Sequence, residues 1–435
     1  MVQAPRPRPR PIMQALAAVV VAAGGLVSGC GHSPEPPVPT WIAATAVPLT
    51  TTDPAGPLDD LAPLRDAVGD AEIVGLGESV HGASEELTLK HRALRVLVEQ
   101  LGFRSVAWEE DWTTGRRIDE YITGGPGDPA ELVARMSPQW RSREVADVLR
   151  WLREFNGGRP DEVRFVGVEY YLTGPDAYDD VDAYVAGAAP ERSAELREHL
   201  AAVRPPTDDV FAHIQTYTAT PDKQPYLRHA CAVLDLVDAV PHPSGDRDHA
   251  VAVHTARQIV SFYEHFALPE ADSHAFRDAH AAGNLQWWQE LTADRIAYWA
   301  AAPHTANAPR MRIATPDGGE LRFRSAGSHL RERYGQRYLS VGFTFDHGSV
   351  SGDAQPVALP APADGWFERP FARAGMPTFV LDLRTTAPPP VRDWLDAPVT
   401  TRGPMGPGSY TDGGSASQWF DVVVHDQQVT PAARP

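Results

Sequence analysis

The stretch Glu72-Ile73-Val74-Gly75-Leu76-Gly77-Glu78-Ser79-Val80-His81-Gly82 is an apolar run that stops in a glycine turn, then presents a carboxylate and an imidazole three residues apart. A short unbroken apolar run bounded by turn residues fits a strand buried on both faces, as in a parallel sheet. Runs of this kind cover residues 73–76, 103–108, 163–168, 295–299, 338–345 and 378–383. Between the first of them, Leu87, Leu94, Leu97, Val98 and Leu101 recur at helical spacing, and Val145, Val148, Leu149 and Leu152 do so again. The alternation predicts an α/β fold with a mostly parallel central sheet flanked by helices. From about 176 to 284 no strand pattern is present, and Ala/Leu/Val periodicity predicts a helical insertion. Residues 356–365, 388–390 and 402–414 read as loops.

With 435 residues, of which 43% are hydrophobic, the chain has enough apolar material for a large core. Its formal charge of -18 excludes nucleic acid, whose phosphates require a basic face, and excludes electrostatic adhesion to anionic lipid. A small neutral or cationic molecule is the easier partner. At the N-terminus, Arg6, Arg8 and Arg10 precede an apolar run over 15–27 that is too short to span a bilayer comfortably, which is the pattern of an export signal. The run closes on Leu26-Val27-Ser28-Gly29-Cys30, which resembles the lipobox of bacterial lipoproteins. That resemblance implies removal of residues 1–29 and acylation of Cys30, leaving the protein exported and lipid-anchored to the outer face of the bacterial cell membrane. Residues 30–60, with prolines from Pro34 to Pro39, read as a tether, and 61–435 as the domain. The other cysteine, Cys231, falls among Ala230, Val233 and Leu234 in a helical pattern and is expected to be buried.

In open α/β sheets the ligand crevice lies beyond the carboxyl ends of the strands. Reading those ends gives Glu78 and His81 after the first strand, Glu109 after the second, Glu169 after the third and His304 after the fourth. His81 suits a general base, since a neutral imidazole can take a proton from water. Lys90 would lie two turns into the next helix, where it pairs with a carboxylate, steadies an oxyanion or stands in solvent. Trp287 and Trp288 offer aromatic surface for binding a small molecule, or for packing. Ser79 lacks the Gly-x-Ser-x-Gly elbow of a serine nucleophile.

The segment Gly77-Glu78-Ser79-Val80-His81-Gly82-Ala83-Ser84-Glu85, followed by Lys90 and by Gly102-Phe103-Arg104-Ser105-Val106-Ala107-Trp108-Glu109, resembles the erythromycin esterase family. The family motif reads Gly-Glu-Ala-Thr-His-Gly-Thr-x-Glu, with a basic residue on the next helix and a glutamate closing the second strand. Phe276-Arg277-Asp278-Ala279-His280-Ala281-Ala282-Gly283-Asn284 is similar to the family's Arg-Asp-x-x-Met-Ala-Glu-Asn helix, and Tyr298-Trp299-Ala300-Ala301-Ala302-Pro303-His304 to its Trp-Ala-His-Asn-x-His strand end. The resemblance implies that Glu78, His81, Lys90, Glu109 and His304 line the site, with His81 the general base in hydrolysis of an ester or lactone. It further implies macrolides as the substrate class and antibiotic resistance as the setting. Ala301 and Gly283 depart from the family's histidine and glutamate, and Glu169 stands where an aspartate is usual. Two other readings remain open: a zinc or manganese hydrolase built on Glu78, His81, Glu109 and His304, and a catalytically silent lipoprotein that binds a small molecule.

Overall fold

All six apolar runs form strands, and the first five extend further toward their carboxyl ends than hydropathy alone indicates. The computed structural model describes residues 37–352 and 354–435; the expected signal at 1–29 and Cys30 lie outside the described residues. The strands are β1 (Val47–Pro48), β2 (Ile73–Glu78), β3 (Ser105–Asp111), β4 (Arg164–Glu169), β5 (Ile296–Ala301), β6 (Met311–Ala314), β7 (Glu320–Phe323), β8 (Tyr338–Val350), β9 (Val357–Leu359), β10 (Thr378–Asp382), β11 (Pro398–Arg402), β12 (Tyr410–Ser415) and β13 (Val422–Val429). The main sheet runs β1-β10-β13-β8-β2-β5-β3-β4, with β9 added to β8, and β11-β12-β6-β7 form a second, antiparallel sheet. From β13 through β4 every neighbouring pair in the main sheet is parallel, and antiparallel β10 and β1 close its edge. Every residue of β2 is buried, as expected for a central strand covered on both faces.

One apolar cluster packs the helices Ser84–Arg95 and Arg143–Asn156 against Val74, Leu76, Val106 and Trp108. On the other side Leu285 and Trp288 of the helix Glu270–Thr292 pack against Val166, Ile296 and Tyr298. The expected helical insertion is present as Pro175–Ala188, Ser193–Val203, Val210–Ala219, Gln224–Asp238 and Arg247–His265, followed by Glu270–Thr292, and it has its own core around Tyr178, Leu196, Val233 and Phe262.

Several expectations need correction. Residues 37–60 belong to the body: the helix Pro37–Thr45 buries Trp41 and Ile42 against Phe371, Phe379 and Trp419, and β1 pairs with β10. Cys231 is exposed, because the buried face of its helix is set by Ala230, Val233 and Val237. The loop at 356–365 contains β9, and that at 402–414 shrinks to the residues between β11 and β12. β13 lies between β8 and β10 although its second half, His425-Asp426-Gln427-Gln428, is polar in sequence.

Candidate active site

Glu78 closes β2 opposite Ala301 of β5 and Phe343 of β8, so the sheet presents its carboxylate at the carboxyl edge. Gly77 keeps room for the short helix Ala302–Thr305, since a Cβ on it would meet Ala302 Cα at 2.7 Å. Gly82 then turns the chain with φ +84, a conformation that favours glycine, and sends it into the helix Ser84–Arg95. Glu86 in the first turn of that helix reaches back to the strand end. Its Oε1 accepts from Ser79 N at 3.1 Å and Ser79 Oγ at 2.8 Å, and its Oε2 from Val80 N at 3.4 Å. Burial outweighs these bonds and pushes the Glu86 carboxyl up to about 8, so it braces the turn as a neutral acid.

Within this frame Glu78 faces two bases. His81 Nδ1 lies 2.9 Å from Glu78 Oε1, a close approach whose angle is bent away from a straight hydrogen bond. Lys90 Nζ pairs with Glu78 Oε2, donates to Ala300 O at 3.3 Å, and sits 4.3 Å from the centre of the Trp299 ring. Lys90 has no exposed surface, so it serves Glu78 and leaves nothing for an oxyanion to touch. Burial alone would raise the Glu78 carboxyl, but the Lys90 and His81 charges hold it below its ordinary value. The His81 side chain is 26% exposed, and its ring meets the edge of Trp140 at 5.1 Å. With Nδ1 turned to Glu78, Nε2 is the nitrogen left for a reacting molecule.

A bulge in β3 builds the opposite half. Trp108 pairs with Gly167 and Asp111 with Glu169, so β3 carries one residue more than β4 over this stretch, and Glu109 and Glu110 are aimed differently. Glu109 Oε1 accepts from Arg277 Nη2 at 2.7 Å and lies 3.5 Å from His304 Nε2, while Oε2 accepts from Ala301 N at 2.9 Å. Burial opposes ionisation, yet the charges of His304, Arg277 and His81 draw the Glu109 carboxyl down to about 2. Arg277 also pairs with Glu169 at 2.8 Å, where burial dominates and the carboxyl is pushed up. His304 Nδ1 rests on Asp278 at 3.0 Å, and Asp278 is fixed by Ala326 N at 2.8 Å. Burial would strip the His304 proton, but Asp278 and Glu109 outweigh it and raise its pKa. Glu110 turns instead to Ser137 N at 2.7 Å and steadies the loop that carries Trp140, with burial pushing its carboxyl up to about 8.

Thus Glu78, His81, Lys90, Glu109, Glu169 and His304 meet at one sheet edge. Trp287 and Trp288 do not join them. Trp288 Nε1 donates to Ser105 Oγ at the opposite end of β3, at 2.8 Å, and Trp287 stacks on His254 at 3.7 Å. Sequence reasoning gave no role to Arg277, Asp278, Glu86 or Glu110. The usable signal was the adjacent Arg277-Asp278 pair within a long helix that packs on the sheet. Among the described residues no group of three or more His, Cys, Asp or Glu side chains is arranged to hold a metal ion. The cluster's carboxylates instead face Lys90 and Arg277.

The sequence profile of the family described as erythromycin esterase matches residues 98–428. The chain belongs to the erythromycin esterase family. The matched region of this family member takes in Glu109, Glu169, Arg277 and His304, and it begins after Glu78, His81 and Lys90. An erythromycin esterase type II from Escherichia coli is 31% identical over 129 residues, which is 30% of this chain and 30% of that relative. Among solved structures, a Bacillus cereus protein superposes with a TM-score of 0.80 at 26% identity, covering 92% of this chain and 98% of the other. A succinoglycan biosynthesis protein gives 0.78 at 25% identity with the same coverage. A mutant erythromycin esterase in its open conformation gives 0.67 at 17% identity over 89% of this chain and 98% of its own, a likeness of fold.

Proposed function

We propose that this family member hydrolyses a carboxylic ester or lactone, with His81 as the general base. The observation that carries this reading is the partly exposed His81 ring backed by buried, ionised Glu78 and set against a second half in which the cations Arg277 and His304 are fixed by carboxylates. His81 Nε2 takes a proton from water as the oxygen adds to the carbonyl carbon, and the carbonyl electrons move onto oxygen. Arg277 and protonated His304 stabilise that oxyanion. His81 then returns its proton to the leaving oxygen as the C–O bond breaks, giving an acid and an alcohol. Lys90 keeps Glu78 ionised, and Glu109 orients Arg277 and His304. Glu169, buried against the same guanidinium, helps to hold Arg277 in place. A macrolide lactone is the substrate class supported by family membership and by the Escherichia coli relative.

On any ester that is cleaved, His81→Ala should lower kcat/KM by roughly two to four powers of ten with folding intact. Undiminished turnover in a folded variant refutes the assignment. We further propose that the protein is exported and held to the membrane by lipid on Cys30. Cys30→Ala should move it out of the membrane fraction, whereas a wild type found wholly in the soluble fraction refutes the anchor.

A further inference from the structure

Away from the strand-end cluster, the helices Arg247–His265 and Glu270–Thr292 flank a groove of about 590 Å³. That is the size of an ordinary small-molecule site, about 300–1,000 Å³. Val253, His254 and Arg257 form one wall, and His280, Gly283 and Trp287 the other. His254 lies on Trp287 with ring planes 8° apart. Burial, helped by the Arg257 charge, pushes the His254 imidazole down to about 3, so this pair is a neutral aromatic platform. Among the described residues Arg257 has no ion-pair partner, and buried His249 on the same wall leaves Nε2 unpartnered.

Gly283 is the second observation. It sits inside a long helix, where glycine costs about 1 kcal/mol relative to alanine. Packing does not require it, since a Cβ there would meet nothing within 4 Å. Its effect is to leave the groove open beside Trp287, at a position where the family pattern carries a glutamate. A glutamate would both fill this space and set a negative charge near Arg257.

We propose that the groove binds a small planar aromatic monoacid, with its ring against the Trp287–His254 pair above Gly283 and its carboxylate on Arg257. Exposed Asp238 also borders the groove and disfavours a second acidic group. The test titrates the full chain with naphthalene-2-carboxylate and with uncharged naphthalene-2-carboxamide, read by calorimetry and by tryptophan fluorescence. The acid should saturate and bind more tightly than the amide. Gly283→Leu should weaken binding by at least about tenfold while the unfolding temperature holds or rises, since the side chain enters open space. Arg257→Gln should weaken the acid about tenfold and leave the amide unchanged. Absence of saturation at millimolar acid, equal binding of acid and amide, or unchanged binding by Gly283→Leu would each overturn the proposal.

Discussion

Arg277→Met isolates the electrostatics of the cluster. The Arg277 side chain is 14% exposed and reaches Glu109 at 2.7 Å and Glu169 at 2.8 Å through one nitrogen, so the two bonded oxygens lie at most 5.5 Å apart. Two carboxylate charges about 5 Å apart repel by about 3 kcal/mol at an effective dielectric of about 20. Removing one partner of a buried pair costs about 3–5 kcal/mol in total, because the remaining charge has no solvent to turn to. The variant relieves part of this by protonating Glu169, whose carboxyl burial already pushes up. A group raised in the fold contributes stability at acid pH and loses it as pH rises through its folded value, and in the variant that loss deepens. The deficit relative to wild type should therefore be about 3–5 kcal/mol at pH 8 and smaller at pH 5, measured by urea unfolding. Arg277→Met combined with Glu169→Gln should recover more than half of it. A deficit under about 1 kcal/mol at both pH values, or a double variant no better than the single one, would refute the reasoning.

Two further outcomes follow from buried groups. The Glu86 and Glu110 carboxyls sit at about 8 in the fold against 4.5 when free, so each contributes stability below that lower value that is lost as pH rises toward 8. Glu86→Gln and Glu110→Gln should each flatten the fall of the unfolding midpoint between about pH 5 and 9, and slopes equal to wild type in both would count against burial as the cause. Lys90→Met leaves Glu78 without its buried cation, so burial raises the Glu78 carboxyl; activity should drop by at least about tenfold and the acidic limb of the pH–rate profile should move upward as Glu78 takes up its proton at higher pH. An unshifted profile would mean that Lys90 only fills space.

How far the sequence could be read depends on whether a signal was local. β2 was legible because a central parallel strand is buried on both faces, which concentrates apolar residues in one run and leaves Glu78 and His81 marked at its end. Glu109 was visible in the same way, but the bulge that separates its direction from that of Glu110 depends on register with β4. Arg277 acquires its role only when the helix Glu270–Thr292 returns to the sheet from the insertion, over a hundred residues beyond Glu109 and Glu169 in sequence. Trp41 and Ile42 were obscured by flanking prolines, although two large apolar residues side by side argued against a solvated tether. Trp287 and Trp288 show the opposite error, where composition suggested one site and helical geometry sent the rings elsewhere.

The hydrogen bond from Ala301 N to Glu109 has an evolutionary consequence. The second carboxylate of the cluster is anchored by a main-chain amide, which every residue except proline supplies. Mutation at this codon can exchange the side chain at the sheet edge while the amide stays in place. A lineage can therefore explore different shapes at position 301 without first surrendering the anchor of Glu109. Proline is the one replacement closed to that drift, since it deletes the donor itself.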